Sequence, residues 1–225
     1  MLDIHTHNPN PDPEAVIDIS AEVRNAVEAG EFNSEAFANE IFSRYSPDQK
    51  FSVGVHPWWS SSALPDELFA AVGAIAAMPQ CALIGEAGID TLKGGPMFRQ
   101  ILYFNKMAQL AADLSKPLII HDVKAHDMIV PLAADYPNSD RWIIHGFRYK
   151  PSVAKMMLDK GFRLSFGPNF NPETLLSIPL DSILAETDDS GVNIENVINA
   201  LSEARGEDLL SVIRTNTTAA LTQTV

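Results

Sequence analysis

Two histidines stand two residues apart at the start of the chain. His5 and His7 follow the short apolar run that begins at Leu2, and the chain has six histidines in all. In a β-strand, residues i and i+2 point to the same face, so both imidazoles can reach one metal ion from one strand end. A single pair of this kind is more often a surface feature than a pair of ligands. It therefore indicates a metal site only if other ligands accompany it.

Two further histidines and two carboxylates also follow apolar segments. His121 and His145 come after 117–120 and 142–144, Glu86 follows 81–85, and Asp188 follows 182–187. Taken singly, each has an ordinary structural explanation, such as a hydrogen-bonded buried histidine, a turn carboxylate or, for Asp188, a helix N-cap. However, a carboxylate buried beside a strand end is costly unless it is paired or bound to a metal.

Imidazoles and carboxylates together suit hydrolysis with divalent metal ions. Such ions lower the pKa of bound water to about 7, and two ions about 3.5–4 Å apart also hold the attacking and leaving oxygens. The site then needs several imidazoles, a bridging carboxylate and a second carboxylate that holds the attacking water. Zn, Mn, Fe and Ni suit this ligand set, and Mg suits it less well. The sequence predicts one or two divalent metal ions as cofactors, of open identity.

These residues can meet only if the elements that carry them bring strand ends together. Eight short apolar segments are predicted as strands: 2–6, 14–20, 51–55, 81–86, 117–121, 141–145, 162–166 and 182–187. Helices are predicted for 65–77, 96–114, 124–135, 151–160 and 193–203. The clearest is 96–114, where apolar residues recur at spacings of three and four. The link 8–13 is short and rich in proline, which predicts an extended loop.

Alternating strands and helices predict an α/β fold with a parallel sheet. Eight strands favour a (β/α)8 TIM-type barrel that forms a single domain over 1–225, and a doubly wound open sheet is the alternative. Chemistry in such a barrel lies at the C-terminal strand ends. The polar candidates are predicted there: His7 ends the first strand, His56 the third, Glu86 the fourth, His121 the fifth, His145 the sixth and Asp188 the eighth. Purely structural explanations would need separate coincidences for each residue at one end of one sheet.

The composition limits the class of protein. A net charge of −13 argues against broad binding to nucleic acid or membranes, although basic residues can still surround a site. The one cysteine, Cys81, lies in an apolar run and is predicted to be buried and inert. No apolar stretch approaches the roughly 20 residues that cross a bilayer, and no signal-peptide pattern is present. We expect a cytoplasmic protein that makes no contact with membranes, and the sequence leaves its oligomeric state open.

The candidate residues in their local contexts resemble the TatD family of metal-dependent deoxyribonucleases, within the amidohydrolase-like barrels. The resemblance rests on seven segments in family order: Asp3-Ile4-His5-Thr6-His7, Gly54-Val55-His56-Pro57-Trp58, Ile84-Gly85-Glu86-Ala87-Gly88-Ile89-Asp90, Lys116-Pro117-Leu118-Ile119-Ile120-His121, Ile144-His145-Gly146-Phe147, Leu164-Ser165-Phe166-Gly167 and Glu186-Thr187-Asp188. No single segment is decisive, but the ordered set is specific and covers most of the chain.

The resemblance implies a barrel with a two-metal site that cleaves phosphodiesters of DNA. His5, His7 and Asp188 would hold the first ion, and His121 and His145 the second. Glu86 would bridge the two ions and is a catalytic residue together with Asp188, which would also orient the attacking water and accept its proton. The implied partners are DNA ends or small phosphodiesters.

The rim of the site departs from the family pattern. Family members often carry an arginine two residues after the histidine equivalent to His121, where this chain has Val123 followed by Lys124. Arg148 stands where the family tends to have serine or threonine. After Asp188 the family usually has serine or alanine and then proline, where this chain has Asp189, Ser190 and Gly191. These changes leave the ligands intact and put the substrate in question. Lys124 and Arg148 are predicted to bind substrate phosphate.

His56 is predicted outside the metal shell. A contact with substrate, a hydrogen bond to a ligand or a structural role beside Trp58 and Trp59 are all open, and we include it among the substrate-binding candidates. His126 is predicted as a surface residue. The two tryptophans can stack a nucleobase or cap the barrel, and the cap is favoured.

Two other functions remain open. The same metal scaffold can hydrolyse an amide or a lactone, because barrels host many chemistries. The chain can also be a non-catalytic metal-binding protein that retains the ligands. Cations at the mouth favour a phosphate substrate, whereas an apolar mouth favours a neutral one.

Overall fold

The computed structural model describes residues 1–9 and 11–222. Eight strands alternate with helices: β1 Asp3–Thr6, β2 Ala15–Asp18, β3 Lys50–Val53, β4 Cys81–Asp90, β5 Leu118–Val123, β6 Trp142–Ile144, β7 Arg163–Phe166 and β8 Ile183–Ala185. They pair in parallel in sequence order, and β8 closes on β1 through Asp3 and Ala185. The predicted barrel is confirmed, and the alternative of an open sheet is wrong.

The helices cover the outside of the barrel: α1 Ser20–Glu28, α2 Ser34–Phe42, α3 Asp66–Ala76, α4 Met97–Asp113, α5 His126–Leu132, α6 Pro151–Leu158, α7 Pro172–Ser177, α8 Ile194–Arg205 and α9 Leu210–Leu221. All five predicted helices are present with slightly shifted ends, and α1, α2, α7 and α9 were absent from the sequence prediction. No helix forms between β1 and β2 in the described part of the predicted loop 8–13, within which residue 10 lies outside the described residues.

Apolar side chains fill the barrel below the site. One fully buried cluster is built from six different strands: Ile4, Val16, Leu83, Ile119, Ile143 and Leu184. Ala220 of α9 packs against the same cluster and closes that end. Residues two positions further along a strand point to the same face, so they stand one layer higher. This layer holds polar groups, among them His121, His145 and Asp18.

Two strands run further than the sequence predicted. The prediction that Glu86 and His121 end their strands is wrong, because β4 continues to Asp90 and β5 to Val123. Residues 87–90 pair with 120–123, with Gly88 opposite His121. A Cβ atom on Gly88 would lie 2.0 Å from the carbonyl oxygen of His121, so only glycine permits this approach. The glycines that suggested a turn therefore extend the pairing of the two strands.

Candidate metal centre

The carboxylate of Glu86 lies at the centre of the site and is 3% exposed. Five of the six histidines face its two oxygens. Oε2 lies 3.4 Å from Nε2 of both His5 and His7, and Oε1 lies 3.1 Å from His56 Nε2, 2.5 Å from His121 Nδ1 and 2.8 Å from His145 Nε2. One oxygen thus faces the two imidazoles in and just after β1, and the other faces three imidazoles that lie in β5 or follow β3 and β6. This division is what a carboxylate between two ions requires.

Asp188 completes the side of the site next to β1. Its Oδ1 lies 3.7 Å from Nε2 of both His5 and His7, and its side chain is 32% exposed. Two backbone hydrogen bonds fix it there: its N–H donates to the His5 carbonyl at 3.0 Å, and its carbonyl accepts the His7 N–H at 3.1 Å. The backbone of Asp188 has a φ of +51°, a conformation that non-glycine residues adopt mainly where neighbouring structure imposes it.

The backbone of Glu86 is held by a residue that the sequence prediction missed. Asp18, at the end of β2, accepts the Glu86 N–H at 2.8 Å through Oδ2 and the Ser20 N–H at 2.7 Å through Oδ1. Asp18 is 6% exposed, so these bonds are sheltered from water. Asp18 stands two residues after Val16 in a predicted strand, and alternate residues of a strand share a face. This spacing is the signal from which its place in the site could have been predicted.

Two more missed carboxylates support the imidazoles from behind. Glu186 is fully buried, and its Oε1 lies 3.4 Å from His145 Nδ1 and accepts the Gly146 N–H at 2.5 Å. Asp90 Oδ2 lies 3.3 Å from His121 Nε2. A carboxylate behind a ligating histidine fixes the orientation of the ring and raises its basicity. In His145 and His121, one ring nitrogen faces the supporting carboxylate of Glu186 or Asp90, and the other ring nitrogen faces Glu86.

The charges of the site reinforce one another. Burial by itself raises the pKa of Glu86, but the charge of His145 and hydrogen bonds from His121 and His145 hold it well below its usual range. Burial by itself lowers the pKa of His145, but the charges of Glu86 and Glu186 raise it well above its usual range. Burial also lowers the pKa of His7, yet the hydrogen bond to Glu86 and the charge of Asp18 raise it to about 9. A metal ion must displace these protons, so binding should strengthen as pH rises.

The donor set fits divalent ions. Among the described residues, three groups of side chains each place their possible ligand atoms within 4.8 Å of one another. The groups are His5, His7, Glu86 and Asp188; His56, Glu86 and His121; and His145, Glu186 and Asp188. Both ring nitrogens of His5 are buried without a hydrogen-bond partner. An imidazole nitrogen left in this state is costly unless a further group, such as a metal ion, binds it.

His56 lies over Glu86, where the segment after β3 carries it. Of the roles left open for it, the structure shows a hydrogen bond to a candidate ligand, while a contact with substrate stays a prediction. The Nδ1 of His56 accepts the Trp58 N–H at 3.2 Å, which leaves Nε2 to face Glu86 Oε1. His56 is thus the N-cap of the 3₁₀ turn Pro57–Ser61, and the same ring faces the carboxylate of Glu86.

The rim residues occupy different positions. Arg148 lines a cavity of about 120 Å³ together with Asp188 and is exposed. Lys124 is exposed next to β5, where its N–H donates to the Tyr149 hydroxyl at 2.6 Å. His126, predicted as a surface residue, is partly exposed: its side chain is 22% exposed and packs beside Tyr149, with Nδ1 3.8 Å from Asp122 Oδ2.

The two tryptophans have separate environments. Trp59 is half-buried, packs against the core and carries the Arg24 guanidinium 4.9 Å above its ring centroid. Trp58 is 43% exposed. Trp59 is thus the one of the two that packs against the core, and Trp58 lies open beside the candidate metal centre.

The sequence profile of the family described as "TatD related DNase" matches residues 2–222. The chain belongs to this family. Among solved structures, the TatD homologue YjjV of Escherichia coli K12 superposes with a TM-score of 0.75 at 19% identity, covering 98% of this chain and 97% of that one. A TatD family hydrolase from Entamoeba histolytica gives 0.72 at 16% identity, covering 93% and 85%. At these identities the superpositions show a shared barrel.

Curated relatives of this TatD-related chain carry two kinds of name. An uncharacterized metal-dependent hydrolase of Haemophilus influenzae is 25% identical over 61% of this chain and 58% of its own length. A protein of Erwinia tasmaniensis named 3′-5′ ssDNA/RNA exonuclease TatD is 29% identical over 65% and 60%. The chain thus spans about three fifths of the length of these relatives. No helix among the described residues is long and apolar enough to cross a membrane.

Proposed function

We propose that this TatD-related chain is a metal-dependent hydrolase that cleaves phosphodiester bonds at the ends of DNA strands or in small phosphodiesters. The observation that carries the proposal is the convergence of five imidazoles on the buried Glu86 carboxylate, with Asp188 half-exposed beside it. The names of the curated relatives agree with this chemistry.

The ligands divide into two sets. His5, His7 and Asp188 would hold one divalent ion, His121 and His145 the other, and Glu86 both. Bound divalent ions lower the pKa of coordinated water to about 7 and so supply a nucleophile at neutral pH. Zn, Mn, Fe and Ni suit these ligands better than Mg. Glu186 and Asp90 keep His145 and His121 oriented.

Asp188 has the position of a proton acceptor. Its Oδ1 faces the centre and its side chain stays partly open to the mouth, so it can reach both the site and an entering substrate. Arg148 lines the same cavity and would pair with a substrate phosphate. Lys124 would add a second cation on the β5 side, and His56 would contact substrate or a metal ion from the β3 side.

The substrate class follows from charge. Neutralised phosphates supply most of the affinity for nucleic acid, and a chain of net charge −13 offers few cations for it. Short single-stranded ends therefore suit this protein better than long duplex. The wider properties are also proposals: residues 1–225 form one domain, and the protein is cytoplasmic.

The decisive experiment compares the wild-type protein with Asp188→Asn. Metal content is measured by elemental analysis, and hydrolysis is measured on single-stranded DNA, duplex DNA, a mononucleotide ester, a lactone and a peptide amide. We expect cleavage of phosphodiesters, with single strands preferred, and loss of turnover in Asp188→Asn while metal is retained. Turnover of only the lactone or the amide would overturn the assignment of the bond, and no turnover by the metal-loaded protein would favour a non-catalytic role.

A further inference from the structure

Trp58 presents an open aromatic surface at the edge of the metal centre. Its side chain is 43% exposed, yet its ring meets His56 edge-to-face at 4.8 Å and His121 at 5.8 Å between centroids. The indole N–H donates to Asp90 Oδ2 at 2.6 Å. The N–H edge of the indole is thus fixed to a residue that supports the candidate metal ligands, while part of the ring remains open to solvent.

The loop beside this ring is held in one conformation. Asp90 Oδ1 accepts the N–H groups of Leu92 and Lys93 at 2.8 and 2.9 Å. The side-chain amide nitrogen of Gln100, which is 1% exposed, lies 3.0, 3.1 and 3.0 Å from the carbonyl oxygens of Asp90, Lys93 and Gly95, which share its two N–H donors. A surface fixed before binding loses little conformational freedom when a ligand arrives.

A cation already lies over the ring. Lys93 Nζ is 4.1 Å from the centroid of the Trp58 ring, and Lys93 is exposed. The face of an indole attracts cations and also stacks with flat π systems, so the same face can take a nucleobase. A displaced ammonium would remain close enough to pair with a phosphate of the same strand.

We infer that Trp58 and Lys93 form a subsite for an unpaired nucleotide, with the base stacked on the indole and the ammonium paired with a phosphate. The inference rests on the proposed function and adds the residues that would hold an unpaired base beside the candidate metal centre. A base inside a duplex is already stacked on both faces and cannot lie on Trp58. The exchange is favourable, since stacking of a base contributes about 5- to 150-fold in affinity, whereas an exposed cation–π contact contributes about two- to fivefold.

The test measures binding rather than cleavage. The metal-loaded protein is titrated calorimetrically with a hexathymidylate whose linkages are all phosphorothioate, and with a hexamer of the same backbone that lacks every base. For each variant, the dissociation constant of the hexamer without bases is divided by that of the hexathymidylate. This ratio reports the contribution of the bases to affinity. The variants are Trp58→Ala, Trp58→Phe and Lys93→Ala. The matched control is Phe98→Ala, which removes another exposed aromatic side chain, 67% exposed, at the start of α4.

We expect Trp58→Ala to reduce this ratio by about 5- to 150-fold. Trp58→Phe loses the hydrogen bond to Asp90 but keeps an aromatic ring on which a base can stack, so it should retain most of the ratio. Phe98→Ala should leave the ratio unchanged. Lys93→Ala should reduce the slope of log affinity against log salt concentration by about 0.7, the value for one phosphate contact on a single strand.

A Trp58→Ala ratio within twofold of wild type would overturn the base subsite, and so would an equal loss in Trp58→Phe, which would indicate a structural role through Asp90. An unchanged salt slope in Lys93→Ala would show that Lys93 does not contact a phosphate. Failure of the proposed function gives a different pattern. Single-stranded DNA with ordinary phosphodiester linkages is then not hydrolysed, while the dissociation constants of the two hexamers still show whether Trp58 binds a base.

Discussion

Substitution of Gly88 by alanine tests whether the close pairing of β4 and β5 holds the site together. The added Cβ would lie 2.0 Å from the carbonyl oxygen of His121 and 2.7 Å from its carbon. Ordinary C···O contacts are about 3.3 Å or longer, so the two strands must separate by about 1.3 Å at this point. His121 carries an imidazole 2.5 Å from Glu86, and both residues would move apart.

The expected loss follows from this displacement. A shift of about 1 Å in catalytic geometry can reduce activity by about 100-fold, and overpacking costs about 1–3 kcal/mol of stability. We expect Gly88→Ala to lower kcat/KM on a single-stranded oligonucleotide by about this factor, to reduce metal content and to lower the unfolding temperature. Elemental analysis, steady-state kinetics and thermal unfolding followed by circular dichroism measure the three effects.

The chain provides its own control. Gly73 lies within α3, and a Cβ there would meet nothing within 4 Å. Alanine is about 0.8–1.0 kcal/mol more favourable than glycine inside a helix, so Gly73→Ala should raise the unfolding temperature and leave kcat/KM unchanged. The reasoning is refuted if a folded Gly88→Ala protein keeps wild-type metal content and kcat/KM.

Three further predictions concern single residues. Glu86→Ala should release both proposed metal ions, because both would depend on this carboxylate; wild-type metal content by elemental analysis would show that Glu86 is not a bridge. Glu186→Gln should weaken metal affinity by about 10–100-fold through loss of the charge behind His145, which titration against a chelator measures, and an unchanged affinity would contradict this support. Cys81 is 1% exposed, and burial raises the pKa of its thiol to about 12. A thiol reagent at pH 8 should therefore modify the protein only after unfolding, and rapid reaction of the native protein would disprove the burial.

The fold followed from the sequence because its signals are local. Each strand is a short apolar run, and five of the helices have a helical pattern that could be predicted from the sequence. Eight strands and a parallel barrel could therefore be predicted without knowledge of contacts. The helices α1 and α7 were missed because they are short, with nine and six residues. Tertiary packing stabilises such helices more than local propensity does.

The candidate ligands were also visible in the sequence, since His5, His7, Glu86, His121, His145 and Asp188 each stand at or near the end of an apolar run. Their convergence in the structure agrees with that prediction, whereas their role as ligands stays a prediction. The sequence did not indicate that Asp18 holds the N–H of Glu86, because the two residues are 68 positions apart. Nor did it place His56 over Glu86, which depends on the path of the segment after β3.

The amino-acid sequence by itself determined the barrel and the residue types at its C-terminal end, because both are encoded in short runs and alternating faces. The tertiary structure alone decided which groups touch. Ring closure between β1 and β8 brings Asp188 to His5 and His7, and the glycine contact of β4 with β5 sets Glu86 against His121. The balance of charge in the site arises from these contacts between distant strands, and no local pattern in the chain records them.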